Sequence, residues 1–172
     1  MDQAQHHSNP IPELSTVDKL RMLLDVTKTI SRSLDLDEVL NLVMDTLGSL
    51  LPYDAAGIYL IDHGDAEYPY IFKSRAIRGY EISFELIEPQ LKLGEGFIGR
   101  VAQTGKAIIS PDVNKDSRYF PARKRTQSEM IAPIISNDKV IGVFDLESDE
   151  LNAYNEDDLD VLQLLTSQVA II

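Results

Sequence analysis

Four glycines divide the segment LKLGEGFIGRVAQTGKAIISPD, residues 91–112, and they constrain the fold more than any other feature of the chain. The chain must turn sharply at Gly94 and Gly96, since glycine reaches positive φ without a Cβ clash. Residues 97–104 then have the apolar spacing of about two helical turns, and Gly105 is the expected stop. A helix this short buries too little to be stable alone. It is therefore expected to lie over a sheet, where a half-covered face leaves room for a small molecule.

Composition excludes several classes of partner. The chain has 172 residues, of which 44% are hydrophobic, enough for one globular domain with flanking helices. Its formal net charge of −12 argues against nucleic acid or an anionic membrane, because both require clustered positive charge. No apolar run approaches the ~18 residues of a membrane-spanning helix. We therefore expect a cytoplasmic protein without a nucleic-acid or membrane partner.

The absence of cysteine removes several kinds of chemistry. Disulfides, thiol nucleophiles, zinc-thiolate sites and thioether-linked chromophores are all excluded. His6 and His7 have no third ligand at a suitable spacing, so no metal site is predicted. His63 is the remaining histidine and falls in a predicted turn, where exposure is more common than catalysis. Asp145 and Glu147 share a predicted strand face, but the sequence identifies no partner for them.

The chain is predicted to comprise a flexible polar leader, residues 1–14, and a single domain, residues 15–172. A first helix begins at Ser15 or Thr16, whose hydroxyl can cap free amides, and runs to about residue 33. A second helix follows the N-cap Asp35 and ends before Pro52.

Two strand hairpins are predicted downstream of these helices. The first pairs residues 55–62 with residues 68–77, both rich in β-forming residues. The second pairs residues 130–136 with residues 140–147 across Asn137-Asp138, which both tolerate left-handed backbone.

A last helix begins at the N-cap Asn155, which is followed by three acidic residues. Apolar residues recur along it with a 3-4-3 spacing, namely Leu162, Leu165, Val169 and Ile172. Such a seam is expected where a helix pairs with a copy of itself or with a neighbour, whereas Val161 and Leu164 are the alternative sheet-facing positions. No helix-stop signal precedes the last residue, so we expect the helix to continue into an output domain.

The glycines at 94, 96 and 99 form a literal G-x-G-x-x-G, but a dinucleotide site is not expected. That fingerprint needs a full strand before it and a long helix after it. Here three residues lead in and Gly105 ends the helix almost at once.

The longest stretch without periodicity lies between Ser110 and Gln127. It gathers basic side chains around Tyr119 and Phe120 in an otherwise acidic protein. One interpretation is a flap that closes over a ligand while a guanidinium meets a carboxylate or phosphate. The other is a solvated loop whose charges balance the acidic body and whose aromatic residues anchor it.

The order of elements, with the segments LGEGFIGRVAQTGKAIISPD, MIAPIISNDKVIGVFDLES and YNEDDLDVLQLL, resembles the GAF domain family over about residues 16–172. The resemblance implies an α+β fold with a GAF-like central antiparallel sheet of five or six strands. It implies N- and C-terminal helices on one face, and a pocket formed by the short helix and long loop on the other. Such domains are usually regulatory and often dimeric through their first and last helices.

The resemblance also implies where a ligand would bind. The positions that match the family's cradle are Phe97, Ile98, Asp112, Tyr119 and Phe120. Alternation along the strands adds Arg75, Ser128 and Phe144. Most of the signature carried by cyclic-nucleotide-binding members is absent, so that ligand is not expected. Some relatives reduce free methionine sulfoxide and others carry a bilin, but both in their usual forms need cysteine. We therefore predict no cofactor, no catalytic residue and no enzymatic activity.

The function expected from these features is the sensing of a small molecule. Occupancy would alter the packing of the terminal helices in a homodimer and so regulate a C-terminal output domain such as a kinase, phosphatase or cyclase. The alternative is a structural dimerisation module without a ligand, whose pocket is filled by Phe97, Phe120 and Phe144.

Overall fold

The computed structural model describes residues 35–64, 70–81 and 88–170. They form one five-stranded antiparallel sheet with helices on both faces, so the predicted α+β fold is confirmed. The predicted leader, the first predicted helix and Ile172 lie outside the described residues.

The elements follow the predicted order. The helices are α1 (Leu36–Leu50), α2 (Gly96–Thr104) and α3 (Glu156–Val169). The strands are β1 (Ala55–His63), β2 (Tyr70–Arg78), β3 (Ile108–Ser110), β4 (Ser128–Ser136) and β5 (Lys139–Ser148). Short 3-10 turns occupy Glu88–Gln90 and Val113–Lys115. The strands lie in the order β2-β1-β5-β4-β3, and each neighbouring pair is antiparallel.

Local sequence signals fix the ends of these elements. Asn137 and Asp138 have φ values of 49° and 61° in the β4–β5 turn, as predicted for residues that tolerate left-handed backbone. The Asp35 carboxylate accepts from the amide of Asp37 at 2.9 Å and caps α1. Asn155 caps α3 and exchanges hydrogen bonds with Asp158 in a reciprocal capping box. The predicted caps Asp35 and Asn155 are thereby confirmed.

The helix-covered face of the sheet carries the larger apolar core, in which α1 and α3 pack together on the strands. Three residues of the predicted seam, Leu162, Leu165 and Val169, are buried there at 0%, 0% and 3% exposure. The seam therefore lies in the core of the same chain, against both the sheet and α1. The alternative position Leu164 is 49% exposed and does not face the sheet. Dimerisation through the terminal helices stays a prediction and would have to use this outer surface of α3.

The opposite face is only partly covered. Helix α2 lies over β4 and β5 and buries a second apolar cluster that includes Phe97, Val101, Ile131 and Val143. Beyond α2 the face is closed by loops, and a cavity lies between them and the strands. In the part of the chain that the structure describes, no helix is both long enough and apolar enough to cross a membrane.

Candidate ligand-binding site

Three acidic side chains form the floor of this cavity. Asp145 and Glu147 alternate along β5, and Glu129 on β4 lies directly opposite Glu147 in the strand pairing. Their exposed fractions are only 1%, 2% and 4% for Asp145, Glu147 and Glu129. Like charges placed opposite each other across two strands destabilise a sheet. Three carboxyl groups in one buried site are therefore costly to the fold.

Two hydroxyl groups hold part of this acid cluster, defined as Glu129, Asp145 and Glu147. The Tyr80 hydroxyl lies 2.9 Å from Asp145 Oδ2 and 2.6 Å from Glu147 Oε1. The Thr126 hydroxyl donates to the other oxygen of Glu147. By contrast, Glu129 Oε2 and Asp145 Oδ1 are buried and receive no hydrogen bond from a donor group of the described residues, and these two acids can hydrogen-bond each other only when one of them carries a proton. The cluster thus has hydrogen-bonding capacity left over.

Burial and mutual repulsion favour protons on these acids. Burial raises the pKa of Glu129 well above its ordinary value, and the charges of Asp145 and Glu147 raise it further. Burial and the charge of Glu147 likewise raise the pKa of Asp145 well above its ordinary value. The pKa of Glu147 is raised by burial, although hydrogen bonds from Thr126 and Tyr80 and the charge of Arg123 oppose the shift. The cluster is suited to take up either protons or a cation.

Three segments form the walls above the cluster. They are residues 89–92, residues 95–98 at the start of α2, and the loop residues Tyr119, Phe120 and Ala122. The cavity between these walls and the acids encloses about 370 Å³. That volume suits a small metabolite, since small-molecule pockets have volumes of about 300–1,000 Å³.

The start of α2 adds a site for negative charge. Glu95 at the N-cap makes no side-chain hydrogen bond to the helix. The amides of Gly96, Phe97 and Ile98 have no backbone acceptor in the described part of the chain. Such amides carry the partial positive charge of a helix N-terminus and favour anionic groups. The cavity therefore has an acidic floor and, at the start of α2, a wall with partial positive charge.

The long loop packs onto α2 through aromatic contacts. The Tyr119 ring centroid lies 5.8 Å from that of Phe97. The Arg118 guanidinium lies 5.5 Å from the Phe97 ring centre and pairs with Asp116 at 2.5 Å. Phe120 remains 43% exposed at the cavity mouth. These contacts hold the loop beside the cavity, which is where the predicted flap would lie.

Four of the eight predicted ligand positions line the cavity, namely Phe97, Ile98, Tyr119 and Phe120. The other four lie elsewhere, and Asp112 caps the 3-10 turn after β3 by accepting from the amide of Asn114. Arg75 pairs with Asp37 of α1 at 3.0 Å, on the helix-covered side. Whether the four cavity residues contact a ligand stays a prediction.

Ser128 and Phe144 are predicted ligand positions, but neither lines the cavity. Each lies one residue away from a strand position that does. Phe144 is fully buried in the core beneath α1 and α3, and the Ser128 hydroxyl donates to the Glu150 carbonyl. Successive side chains of a strand point to opposite faces, so their neighbours Glu129 and Asp145 reach the cavity instead. Phe144 accordingly cannot help fill the pocket. The signal that identifies the positions facing the cavity is an acidic residue inside a run of β-forming residues.

Among described residues 35–64, 70–81 and 88–170, no group of three or more His, Asp or Glu side chains is arranged to hold a metal ion. This includes the three acids of the cavity floor, whose carboxyl groups are not arranged to hold a metal ion. The site is therefore described by its charge and hydrogen-bonding capacity.

Solved structures share this fold. Free methionine-R-sulfoxide reductase from Neisseria meningitidis, in complex with its substrate, superposes with a TM-score of 0.72 at 18% identity, covering 90% of this chain and 87% of that one. The GAF domain of a phosphoenolpyruvate-protein phosphotransferase from Coxiella burnetii superposes with a TM-score of 0.75 at 22% identity, covering 90% and 92%. At these identities the likeness shows the fold alone.

Sequence similarity to a curated protein is local. This chain is 34% identical over 80 residues to free methionine-R-sulfoxide reductase of Saccharomyces cerevisiae, a stretch that covers 46% of this chain and 44% of the yeast protein. The chain spans less than half the length of the curated relatives it matches, 44% in each case.

These names contradict the prediction that the chain is not an enzyme. That prediction depended on the absence of cysteine and of a recognisable catalytic arrangement. Several proteins that resemble this chain in sequence or fold are named reductases and are therefore enzymes. The prediction was wrong, and the pocket has to be tested for catalysis as well as for binding.

The family itself is established by a match along most of the chain. The family model described as GAF domain matches residues 33–172. The match covers the sheet, the helices and every segment that forms the cavity. The chain therefore belongs to the GAF domain family.

Proposed function

We propose that this domain binds a small molecule carrying a protonated amine, and that the acid cluster is the group that holds the amine. The observation that carries the proposal is the pair of buried oxygens, Glu129 Oε2 and Asp145 Oδ1, whose side chains line the cavity and which, among the described residues, have no donor except a proton held between the two acids. Buried polar groups are normally paired, and an ammonium offers three donors.

Charge supports the same ligand. The charge of Arg123 lowers the pKa of Glu147, but the Arg123 guanidinium is already paired with Asp149. An ammonium about 4 Å from an ionised carboxylate gains roughly 4 kcal/mol at an effective dielectric constant near 20. A bound amine would thus replace repulsion within the cluster by attraction. A ligand with a negative group at this position would be rejected.

The other wall of the cavity supports an amino acid. The amides at the start of α2, which have no backbone acceptor among the described residues, suit a carboxylate, and Phe97 and Tyr119 provide an apolar surface for a side chain. A free amino acid carries its amine and its carboxylate at opposite ends of a short backbone. The relatives named free methionine-R-sulfoxide reductases make methionine sulfoxide the first compound to test.

Reduction of free methionine-R-sulfoxide is the second candidate function. It is favoured by the 34% identity to the yeast reductase. Since this chain has no cysteine, both electrons would come from an external dithiol. The dithiol becomes a disulfide, the sulfoxide becomes a thioether, and the oxygen leaves as water with the two thiol protons. In that case the residues of this chain bind and orient the substrate.

The sensory part of the proposal uses the two faces of the same strands. β4 and β5 carry the acid cluster on one face and contact the α1–α3 core on the other through Met130, Phe144 and Leu146. A ligand that draws the two strands together would therefore alter the packing beneath α3. We propose that a homodimer transmits this change to a C-terminal output domain such as a kinase, phosphatase or cyclase. A GAF domain with the same fold is part of a phosphoenolpyruvate-protein phosphotransferase.

Calorimetric titration with L-methionine sulfoxide tests the binding proposal. We expect binding to the wild-type chain and at least a tenfold loss for D145N and E129Q, which keep side-chain volume and remove the charge. Glu150 is exposed and outside the cavity, so E150Q is the matched control and should bind normally. N-acetylmethionine sulfoxide lacks the amine and should not bind.

Equal binding of the N-acetyl compound, or unchanged binding to D145N and E129Q, would contradict the role of the amine. Complete absence of binding across free amino acids and amines would favour the structural dimerisation module. Catalysis is measured separately, as methionine formed from the R-sulfoxide with excess dithiothreitol. Product formation that is lost in D145N supports the second candidate.

A further inference from the structure

We infer that Tyr80, a residue outside the cavity, is the positioning residue that fixes Asp145 and Glu147 and determines the pH range in which the pocket carries negative charge. The inference deepens the proposed function and relies on it for the identity of the ligand. Its main test uses the protein without a ligand.

The position of the Tyr80 hydroxyl makes it the link between two acids. It lies 2.9 Å from Asp145 Oδ2 and 2.6 Å from Glu147 Oε1, both within hydrogen-bonding range. A phenol has one proton to donate. When it donates to one carboxylate, the contact with the other is favourable only if that carboxyl group carries a proton. The geometry therefore ties the protonation of Asp145 to that of Glu147.

Tyr80 also determines which oxygens face the ligand. It engages Asp145 Oδ2, whereas Asp145 Oδ1 receives no hydrogen bond from a donor group in the described part of the molecule. Thr126 engages the second oxygen of Glu147. These hydrogen bonds hold Asp145 Oδ2 and both oxygens of Glu147, so that Asp145 Oδ1 is left for the cavity. Pre-oriented groups of this kind bind a ligand at lower entropic cost.

The backbone after β2 delivers Tyr80 to this place. Gly79 has a φ of 73°, and a Cβ there would lie 1.9 Å from the Asp54 carbonyl oxygen. The chain can make this close approach because residue 79 is glycine. On the other side of Tyr80, Glu81 lies 4.0 Å from Arg125, an exposed pair that adds little.

Several groups share the electrostatic environment of the cluster, and each element packed around it contributes. They are Tyr59 of β1, Glu129 of β4, Tyr119 and Arg123 with its partner Asp149, Tyr154 before α3, and Lys92 and Glu95 of the cavity wall. Burial raises the pKa of Asp145 and Glu147, whereas the Tyr80 hydrogen bonds lower both pKa values. Tyr80 is therefore the group whose removal changes the charge of both acids together.

The test is a titration of the side-chain carboxyl groups by ¹³C NMR in wild-type, Y80F and Y154F proteins. Tyr154 is also buried, and its hydroxyl finds no hydrogen-bond partner in residues 35–64, 70–81 and 88–170. Y154F therefore removes the same atom without removing a hydrogen bond to the cluster. We expect Y80F to move the titration of Asp145 and Glu147 upward by roughly one pH unit, the effect of one hydrogen bond to a charged group.

Unchanged titration in Y80F, or equal shifts in Y80F and Y154F, would overturn the inference. A second arm measures the affinity for L-methionine sulfoxide against pH. Wild-type affinity should increase as the acids ionise, and the increase should occur at higher pH in Y80F. If the wild-type chain binds no amine, the proposed function fails, and the NMR titration still decides the role of Tyr80.

Discussion

The two faces of the sheet are made by alternating residues of the same strands, yet one face buries apolar side chains and the other buries acidic ones. On β5, Phe144 and Leu146 face α1 and α3, and Asp145 and Glu147 face the cavity. All four are nearly inaccessible, with exposures of 0%, 0%, 1% and 2%. Burial of the first pair stabilises the fold, whereas burial of the second pair costs free energy. The comparison teaches that the cavity face buries polar groups at a cost to stability, as the proposed binding of an amine requires.

The largest expected effect is on the helix-covered face. Leu162 is fully buried between α3 and the sheet, so L162A should lower the free energy of unfolding by about 2–5 kcal/mol. Urea unfolding measures the loss. The carboxyl titration of the cavity acids should stay the same, because the cavity lies on the other face. A change in that titration comparable to that of Y80F would show that the two faces are not independent.

A smaller effect, which arises on the cavity face, is expected from pH. The acid cluster holds protons in the folded state above the ordinary pKa values of 3.8 and 4.5 for Asp and Glu. Its stabilising contribution is complete below those values and is lost as pH increases through the raised folded-state pKa values. Each extra proton held by the folded state changes stability by about 1.4 kcal/mol per pH unit. Urea unfolding of the ligand-free protein from pH 4 to 9 should therefore show decreasing stability.

Variants of the cluster provide the control for that profile. D145N and E129Q should flatten the decrease, and E150Q should reproduce the wild-type curve. Asp116 responds in the other direction, because the Arg118 hydrogen bond lowers its pKa to about 2. Its contribution is present above the ordinary value of 3.8 and is lost as pH falls through about 2. The contribution of Asp116 to stability is thus lost at lower pH than the contribution of the acid cluster. Identical profiles of stability against pH for wild type and D145N would refute the assignment of the decrease to the cluster.

The smallest expected effect on stability is at the exposed surface of α3. Leu164 is 49% exposed, so L164S should change the free energy of unfolding by less than about 0.5 kcal/mol. If a homodimer forms through this surface, light scattering after size exclusion should show half the wild-type mass. Leu151 is 51% exposed but precedes α3, which makes L151S the matched control. A dimer that persists in L164S uses another surface.

The sequence was sufficient where structure depends on neighbouring residues. Gly105 stops α2, Asn137-Asp138 turns between β4 and β5, and Asn155 caps α3, all through contacts within a few residues. The order of these elements was enough to identify the fold and to place the short helix and the loop beside a cavity.

The acid cluster was harder to find because it depends on pairing between distant segments. The alternation of β5 correctly predicts that Asp145 and Glu147 share a face. The same strand is also predicted to bring Phe144 to the ligand, although Phe144 lies in the core. Only the register of β4 against β5 brings Glu129 opposite Glu147, and only the turn at Gly79 brings Tyr80 to the same acids. No local pattern encodes either contact.

The close approach at Gly79 affects how the ligand preference of the pocket can be changed by mutation. One methyl group at this position would collide with the Asp54 carbonyl oxygen, and relief of the collision would draw Tyr80 away from its acids. Gly79 neither lines the cavity nor carries a polar side chain. It is nevertheless a place where a single substitution would alter ligand preference through the backbone while every residue that touches the ligand stays the same.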